Sequence, residues 1–242
     1  MREIVWAAAL LVAGAMEAGA QRAGSVDLEL VLLADASGSI DDAEIRFQRQ
    51  GYASAITHPE VLGAIAQGFD QRIAITYVEW GMTGSQDVVV PWTIVDGPDS
   101  AAAFADALME APRRAFGRNA IGEALAFGQA LIESNDLNGY RNVIDLSADS
   151  ANSWNGLSIA EARASALAAD IVINGLAILC RHCSGRPVRY DLEAAFAERI
   201  IGGPGSFVIS ATGDEHFADA VRKKLVLEIA GTPGAELRLA RD

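Results

Sequence analysis

The sequence predicts an α/β domain: a doubly wound, mostly parallel six-stranded sheet with one antiparallel edge strand and helices on both faces. Three observations predict it. Apolar runs of strand length alternate with helical stretches along most of the chain. One pair of successive strands breaks that alternation. Residues 72–80 and 87–95 are joined by Gly81-Met82-Thr83-Gly84-Ser85, too short for a crossover helix, so they pair antiparallel. Finally, 51% hydrophobic content over 242 residues is enough for one sizeable core, with no low-complexity stretch or internal repeat.

Each element has a local reason. Residues 26–34 form an almost continuous apolar run, as expected of a strand buried on both faces. Residues 41–56 read as a helix, because Asp41 and Glu44 have capping-box spacing and Ile45, Tyr52 and Ile56 mark one face. Pro91 inside the strand 87–95 places that strand at an edge, where a missing N–H costs least. Helices follow at 100–110 and 120–134, the second with Ile121, Leu125, Ala126, Leu131 and Ile132 as its buried stripe. A strand at 142–147 leads to a helix at 158–168, opened by Ser158 with Glu161 three residues on. Strand 171–179, helix 190–199, strand 206–210 and helix 216–230 complete the chain. The expected strand order is 3-2-1-4-5-6, with any ligand site at the carboxyl ends of the two central strands.

Composition narrows the setting. Residues 1–20 read as a signal peptide: Arg2, an apolar run from 4 to 16, then Ala18-Gly19-Ala20 before cleavage. The run is short for a bilayer span. Residues 21–242 then form a single domain, periplasmic or secreted, with no stable membrane insertion after cleavage. The net charge of −13 and the single lysine pair, Lys223-Lys224, argue against nucleic acid as a partner. The two cysteines stand in Cys180-Arg181-His182-Cys183. They read as a local disulfide, as free thiols, or as a redox or metal pair.

The residues that carry chemistry follow the first strand. Asp35 ends it, and Ser37 and Ser39 lie in a turn that Gly38 keeps adaptable. One carboxylate and two hydroxyls make an all-oxygen half-site for a hard cation such as Mg²⁺, with Mn²⁺ or Ca²⁺ as relatives. Asp149, after the strand 142–147, falls at the neighbouring strand end, and Asn119 precedes the helix leading into that strand. Together Asp35, Ser37, Ser39, Asn119 and Asp149 offer two carboxylates, two hydroxyls and an amide, a set that water completes to octahedral geometry.

At these residues the chain resembles von Willebrand factor type A (vWA) domains, whose fold is Rossmann-like. Asp35-x-Ser37-x-Ser39 is similar to the first loop of their metal-ion-dependent adhesion site. Gly117-Arg118-Asn119-Ala120-Ile121-Gly122 resembles the second loop, with Asn119 where that family has threonine. Leu146-Ser147-Ala148-Asp149-Ser150 resembles the third, with Ser150 where a glycine is common. A narrower resemblance, carried by Val78-Glu79-Trp80, Val90-Pro91-Trp92, Ile173-Asn174-Gly175-Leu176 and Ile201-Gly202-Gly203-Pro204-Gly205, is to a bacterial group of exported vWA-like proteins of unknown function. The vWA resemblance implies a cation with an open coordination position that a partner's carboxylate fills.

Other residues admit two readings. Asp41 and Asp42 read as helix caps or as groups behind the metal ligands. Glu79 and Trp80 read as sheet-edge packing or as cleft lining. Trp154 reads as a partner anchor or as packing over the sheet edge. Gly202-Gly203-Pro204-Gly205 reads as a tight turn, since no lysine or helix follows it as in a phosphate loop. His58, before Pro59, reads as a turn. Three functions remain: a cation-dependent protein-binding module, a metal-free scaffolding domain, and a Mg²⁺-assisted hydrolase. The third lacks a Ser–His pair, a nucleophile elbow and a second metal cluster. The expected protein is therefore not an enzyme and has no catalytic residues.

Overall fold

The computed structural model describes residues 24–38, 40–179 and 189–231. The expected signal peptide, Ser39 and the Cys180–Cys183 pair lie outside the described residues. No described helix is long and apolar enough to cross a membrane.

The chain runs β1 (Ser25–Val26), β2 (Leu28–Asp35), α1 (Asp42–Ile56), α2 (Pro59–Ala66), β3 (Ile73–Trp80), β4 (Gln86–Val95), α3 (Pro98–Glu110) and α4 (Ile121–Glu133). It continues with β5 (Asn138–Gly139), β6 (Asn142–Ala148), α5 (Ile159–Ala168), β7 (Ile171–Ile178), α6 (Leu192–Arg199), β8 (Val208–Ala211) and α7 (Asp214–Ala230). Six strands form one sheet in the order β4-β3-β2-β6-β7-β8, which is the expected order. Every neighbouring pair is parallel except β3–β4.

Strand β2 shows how the sheet is fastened on both sides. All eight of its residues are buried. Leu28, Leu30, Leu32 and Ala34 face one core, with Tyr52, Val61, Phe104, Phe217 and Leu225 from α1, α2, α3 and α7. Val31 and Leu33 face the other, with Leu125, Ala162 and Phe196 from α4, α5 and α6. The period of two in a strand makes a continuous apolar run serve both layers at once.

The edge strand β4 carries its proline at a break in the ladder. The β3–β4 register shifts between Ile75 and Tyr77, opposite Pro91 and Trp92. Thr76 Oγ1 donates to the Val90 carbonyl at 2.8 Å across this irregularity. Both expected capping boxes are present, Asp41 with Glu44 and Ser158 with Glu161.

One expectation is corrected. His58-Pro59 is not an isolated turn but opens α2. The His58 Nδ1 accepts from the Glu60 N–H at 3.2 Å, and Pro59 occupies the first helical turn, where its missing N–H removes no helical bond. The two-residue pair β1–β5 was not expected either; it is too short for any periodic signal.

Candidate functional site

Strands β2 and β6 lie side by side, and their chains leave the sheet in opposite directions. This is the topological switch point, and three loops meet at its carboxyl edge. Asp35 ends β2, Asp149 follows the last residue of β6, and Asn119 closes the loop before α4. The three loops are stitched by backbone bonds. The Gly38 N–H donates to the Gly117 carbonyl at 2.6 Å, and the Trp154 N–H donates to the Asn119 carbonyl at 2.9 Å. Ala36, Ile40, Ile45 and Ala115 form a small buried cluster that packs the first loop onto the second. Asp35, Ser37 and Asp149 thus come together, Asn119 stands on the loop bonded to theirs, and Ser39 is outside the described residues.

The carboxylates are enclosed. Asp35 and Ser37 are completely buried, and Asp149 and Asn119 are exposed by less than a tenth. Asp35 Oδ1 accepts from the Ser37 N–H at 2.8 Å, while no hydrogen bond of normal geometry reaches the buried Oδ2. Burial and the neighbouring Asp149 carboxylate push the Asp35 carboxyl up to about 7, against the opposite pull of Ser37 and the Asp149 backbone. Two acids share one desolvated place, an arrangement that a proton or a cation relieves. The Asn119 Nδ2 is also buried without an acceptor. Nothing among the described residues holds that nitrogen, so nothing on that side opposes turning the amide to present Oδ1.

The donor set therefore fits a hard cation: two carboxylates, hydroxyl oxygen and an amide, without imidazole or thiolate. Among the described residues no group of three or more His, Cys, Asp or Glu is placed to hold a metal ion. The set contains only two acids, and its remaining donors are neutral.

Sequence reasoning missed how the site is braced. The Arg113 Nη2 donates to the Ala36 carbonyl at 2.8 Å, and its Nη1 pairs with Asp42 at 3.0 Å. Asp42 thereby helps to place the first loop, while Asp41 caps α1. Glu79 is neither cleft lining nor simple packing. It is buried at the end of β3 and paired with Arg49 at 2.7 Å, and Arg49 also donates to the Ala111 carbonyl. Desolvation raises the Glu79 carboxyl above its ordinary value despite Arg49. Trp80 is fully buried beside it, whereas Trp154 stands 66% exposed and is not packed away over the sheet edge. The visible signal for this bracing was the concentration of Arg113, Arg114 and Arg118 in one short loop of an acidic chain.

A family described as a protein of unknown function, DUF1194, matches residues 25–233. The chain belongs to that family. No curated protein matches it. Several solved structures share the family member's fold. Proximal thread matrix protein 1 from the mussel byssus, solved with a zinc-occupied MIDAS motif, superposes with a TM-score of 0.61 at 14% identity, over 85% of this chain and 48% of that one. The pilus adhesin SpaC from Lactobacillus rhamnosus GG gives 0.60 at 12% identity, over 84% of this chain and 30% of the adhesin. The VWA domain of SpRpn10 gives 0.54 at 12% identity, over 84% and 98%. The fold of this DUF1194 chain is thus that of a vWA domain. It spans about half of the byssus protein and under a third of the adhesin.

Proposed function

We propose that this DUF1194 protein is an exported, non-catalytic binding module. In this reading Asp35, Ser37, Ser39, Asn119 and Asp149 hold a divalent cation, with Mg²⁺ as the first choice and Mn²⁺ or Ca²⁺ as alternatives. The cation supplies an electrophilic position for the carboxylate of a protein partner. The observation that carries the reading is the Asp35 carboxylate, wholly buried beside Asp149, with an Oδ2 that has no hydrogen bond of normal geometry. A buried acid with an orphaned oxygen is costly, and a cation removes that cost.

The residues divide the work. Asp35 and Asp149 supply the charge that retains the ion, and the neutral hydroxyl and amide oxygens leave it short of electrons. Arg113 holds the Ala36 carbonyl and with it the shape of the first loop. The fold shared with a pilus adhesin and with a matrix protein whose MIDAS motif holds zinc is in keeping with this role. Export rests on the amino-terminal signal pattern in residues 1–20, which leads to the periplasm or the exterior.

Isothermal titration with Mg²⁺, Mn²⁺, Ca²⁺ and Zn²⁺ tests the site. Saturable heat and a rise in melting temperature are expected, because an ion bound only by the folded state stabilises it. Asp35→Ala and Asp149→Ala should abolish both. Absence of heat and shift with all four ions would defeat the proposal and leave a metal-free scaffolding domain.

A further inference from the structure

Around the same three loops lies an apolar and basic rim whose exposed side chains are not cation ligands. Eight large apolar side chains are exposed among the described residues, and four of them, Met82, Phe116, Trp154 and Leu157, stand on loops around this site. Exposed apolar residues scattered singly are ordinary, but Met82, Phe116 and Trp154 all meet at residues 116–118. The Met82 N–H donates to the Phe116 carbonyl at 3.0 Å. The Met82 side chain lies on Gly117, whose φ of +97° and missing Cβ leave room for it; a Cβ there would stand 2.6 Å from Met82 Cγ. The Arg118 guanidinium lies over the Trp154 ring at 5.6 Å, and Arg113 lies over Phe116 at 4.8 Å.

Charge singles out the same rim. The protein carries a net charge of −13, yet Arg113, Arg114 and Arg118 fall within one loop. Arg113 and Arg114 are paired with Asp42 and Asp87, while Arg118 is in no ion pair among the described residues. A guanidinium stacked on an exposed indole is a preformed surface for a group that is both anionic and flat or apolar.

We propose that this rim reads the residues flanking the acidic group of the partner. The occupant is a protein segment in which an Asp or Glu is followed or preceded, within a few positions, by an aromatic or large aliphatic side chain. The acid completes the cation, and the apolar neighbour packs on Trp154, Phe116 and Met82 with Arg118 beside the segment. Exposed Trp and Arg are the residue types that most often dominate binding energy when covered. This inference rests on the cation-dependent reading above for the acid, and on the rim alone for the apolar neighbour.

The test is selection of a phage-displayed random peptide library on the full chain in Mg²⁺, with elution by EDTA, run in parallel on Trp154→Ala/Phe116→Ala. Enriched peptides should carry an acid with an aromatic or large aliphatic neighbour. A synthetic peptide of the enriched sequence should bind the double variant at least about tenfold more weakly. It should also shield Trp154 from acrylamide quenching. The variant should still select acidic peptides eluted by EDTA, now without an apolar preference, and Trp154→Phe should restore most of the affinity. Acidic peptides with no apolar preference on the parent protein would overturn the rim and leave the cation reading standing. Apolar peptides bound without acid and unmoved by EDTA would overturn the cation reading. No enrichment over the variant would overturn the rim proposal.

Discussion

Replacing Glu228 with glutamine should stabilise the protein at alkaline pH and do nothing at acid pH. Glu228 lies on α7, and its side chain is wholly enclosed with Lys224, one turn earlier, and Asp145 of β6. The Lys224 Nζ stands 2.7 Å from Asp145 Oδ1 and also reaches Glu228 Oε1. Asn174 donates to the same Glu228 oxygen at 3.1 Å, and Tyr52 and the Phe207 ring pack against the cluster. One cation faces two carboxylates. Desolvation, reinforced by Asp145 and opposed by Lys224, pushes the Glu228 carboxyl from 4.5 up to about 7. Between those values the folded protein holds a proton that the unfolded chain has released. Stability contributed by this site therefore falls as pH rises through the window, and the loss is complete above it. At 1.36 kcal/mol per unit the deficit is about 3 kcal/mol. Glu228→Gln keeps an acceptor for Lys224 and Asn174, leaves the Lys224–Asp145 pair neutral, and removes the deficit. Urea denaturation of both proteins should give equal stabilities near about pH 4.5 and a gain of about 3 kcal/mol for the variant near about pH 8. The melting temperature there should rise by about 6–12 °C. Taking the difference between the two proteins removes the contribution of the other titrating groups. A gap that does not change with pH, or a variant less stable at pH 8, would show that the fold does not raise the Glu228 carboxyl and that the reasoning is wrong.

Three further outcomes follow from the same geometry. Arg49→Met should cost about 3–5 kcal/mol, because it strands the buried Glu79 carboxylate, and the cost should shrink at acid pH where Glu79 is neutral; denaturation at two pH values measures both. Gly122→Ala should destabilise by about 1–3 kcal/mol, since its Cβ would stand 2.0 Å from the Leu157 carbonyl oxygen, a backbone atom that cannot swing away. Any cation-induced thermal shift should shrink with it if the 150–157 loop is displaced. Thr76→Val should lose about 1 kcal/mol by removing the bond to the Val90 carbonyl beside Pro91, a change readable as a lower urea midpoint with unchanged slope.

Legibility in the sequence followed the range of the interactions. Capping boxes span three residues, so Asp41 with Glu44 and Ser158 with Glu161 could be read directly, and both form. The antiparallel edge followed from the length of one connection. Helix α2 escaped because its signal is short, and because Pro59 looks like a breaker until its place in the first turn is known. The pairs Arg49–Glu79 and Asp145–Lys224 escaped for a different reason. Each joins residues far apart in the chain, and no local pattern marks which buried acid meets which base.

By itself, the sequence determined the alternation of strands and helices, the strand order and the positions of Asp35, Asn119 and Asp149 at loop ends. Those follow from short-range periodicity and from chain connectivity, both written in neighbouring residues. Only the tertiary structure decided that Asp35 is stripped of water beside Asp149 with one oxygen unsatisfied, and that Trp154 stands out into solvent under Arg118. Burial, orphaned atoms and shared charge are properties of what surrounds a residue, and those surroundings exist only once distant segments have packed together.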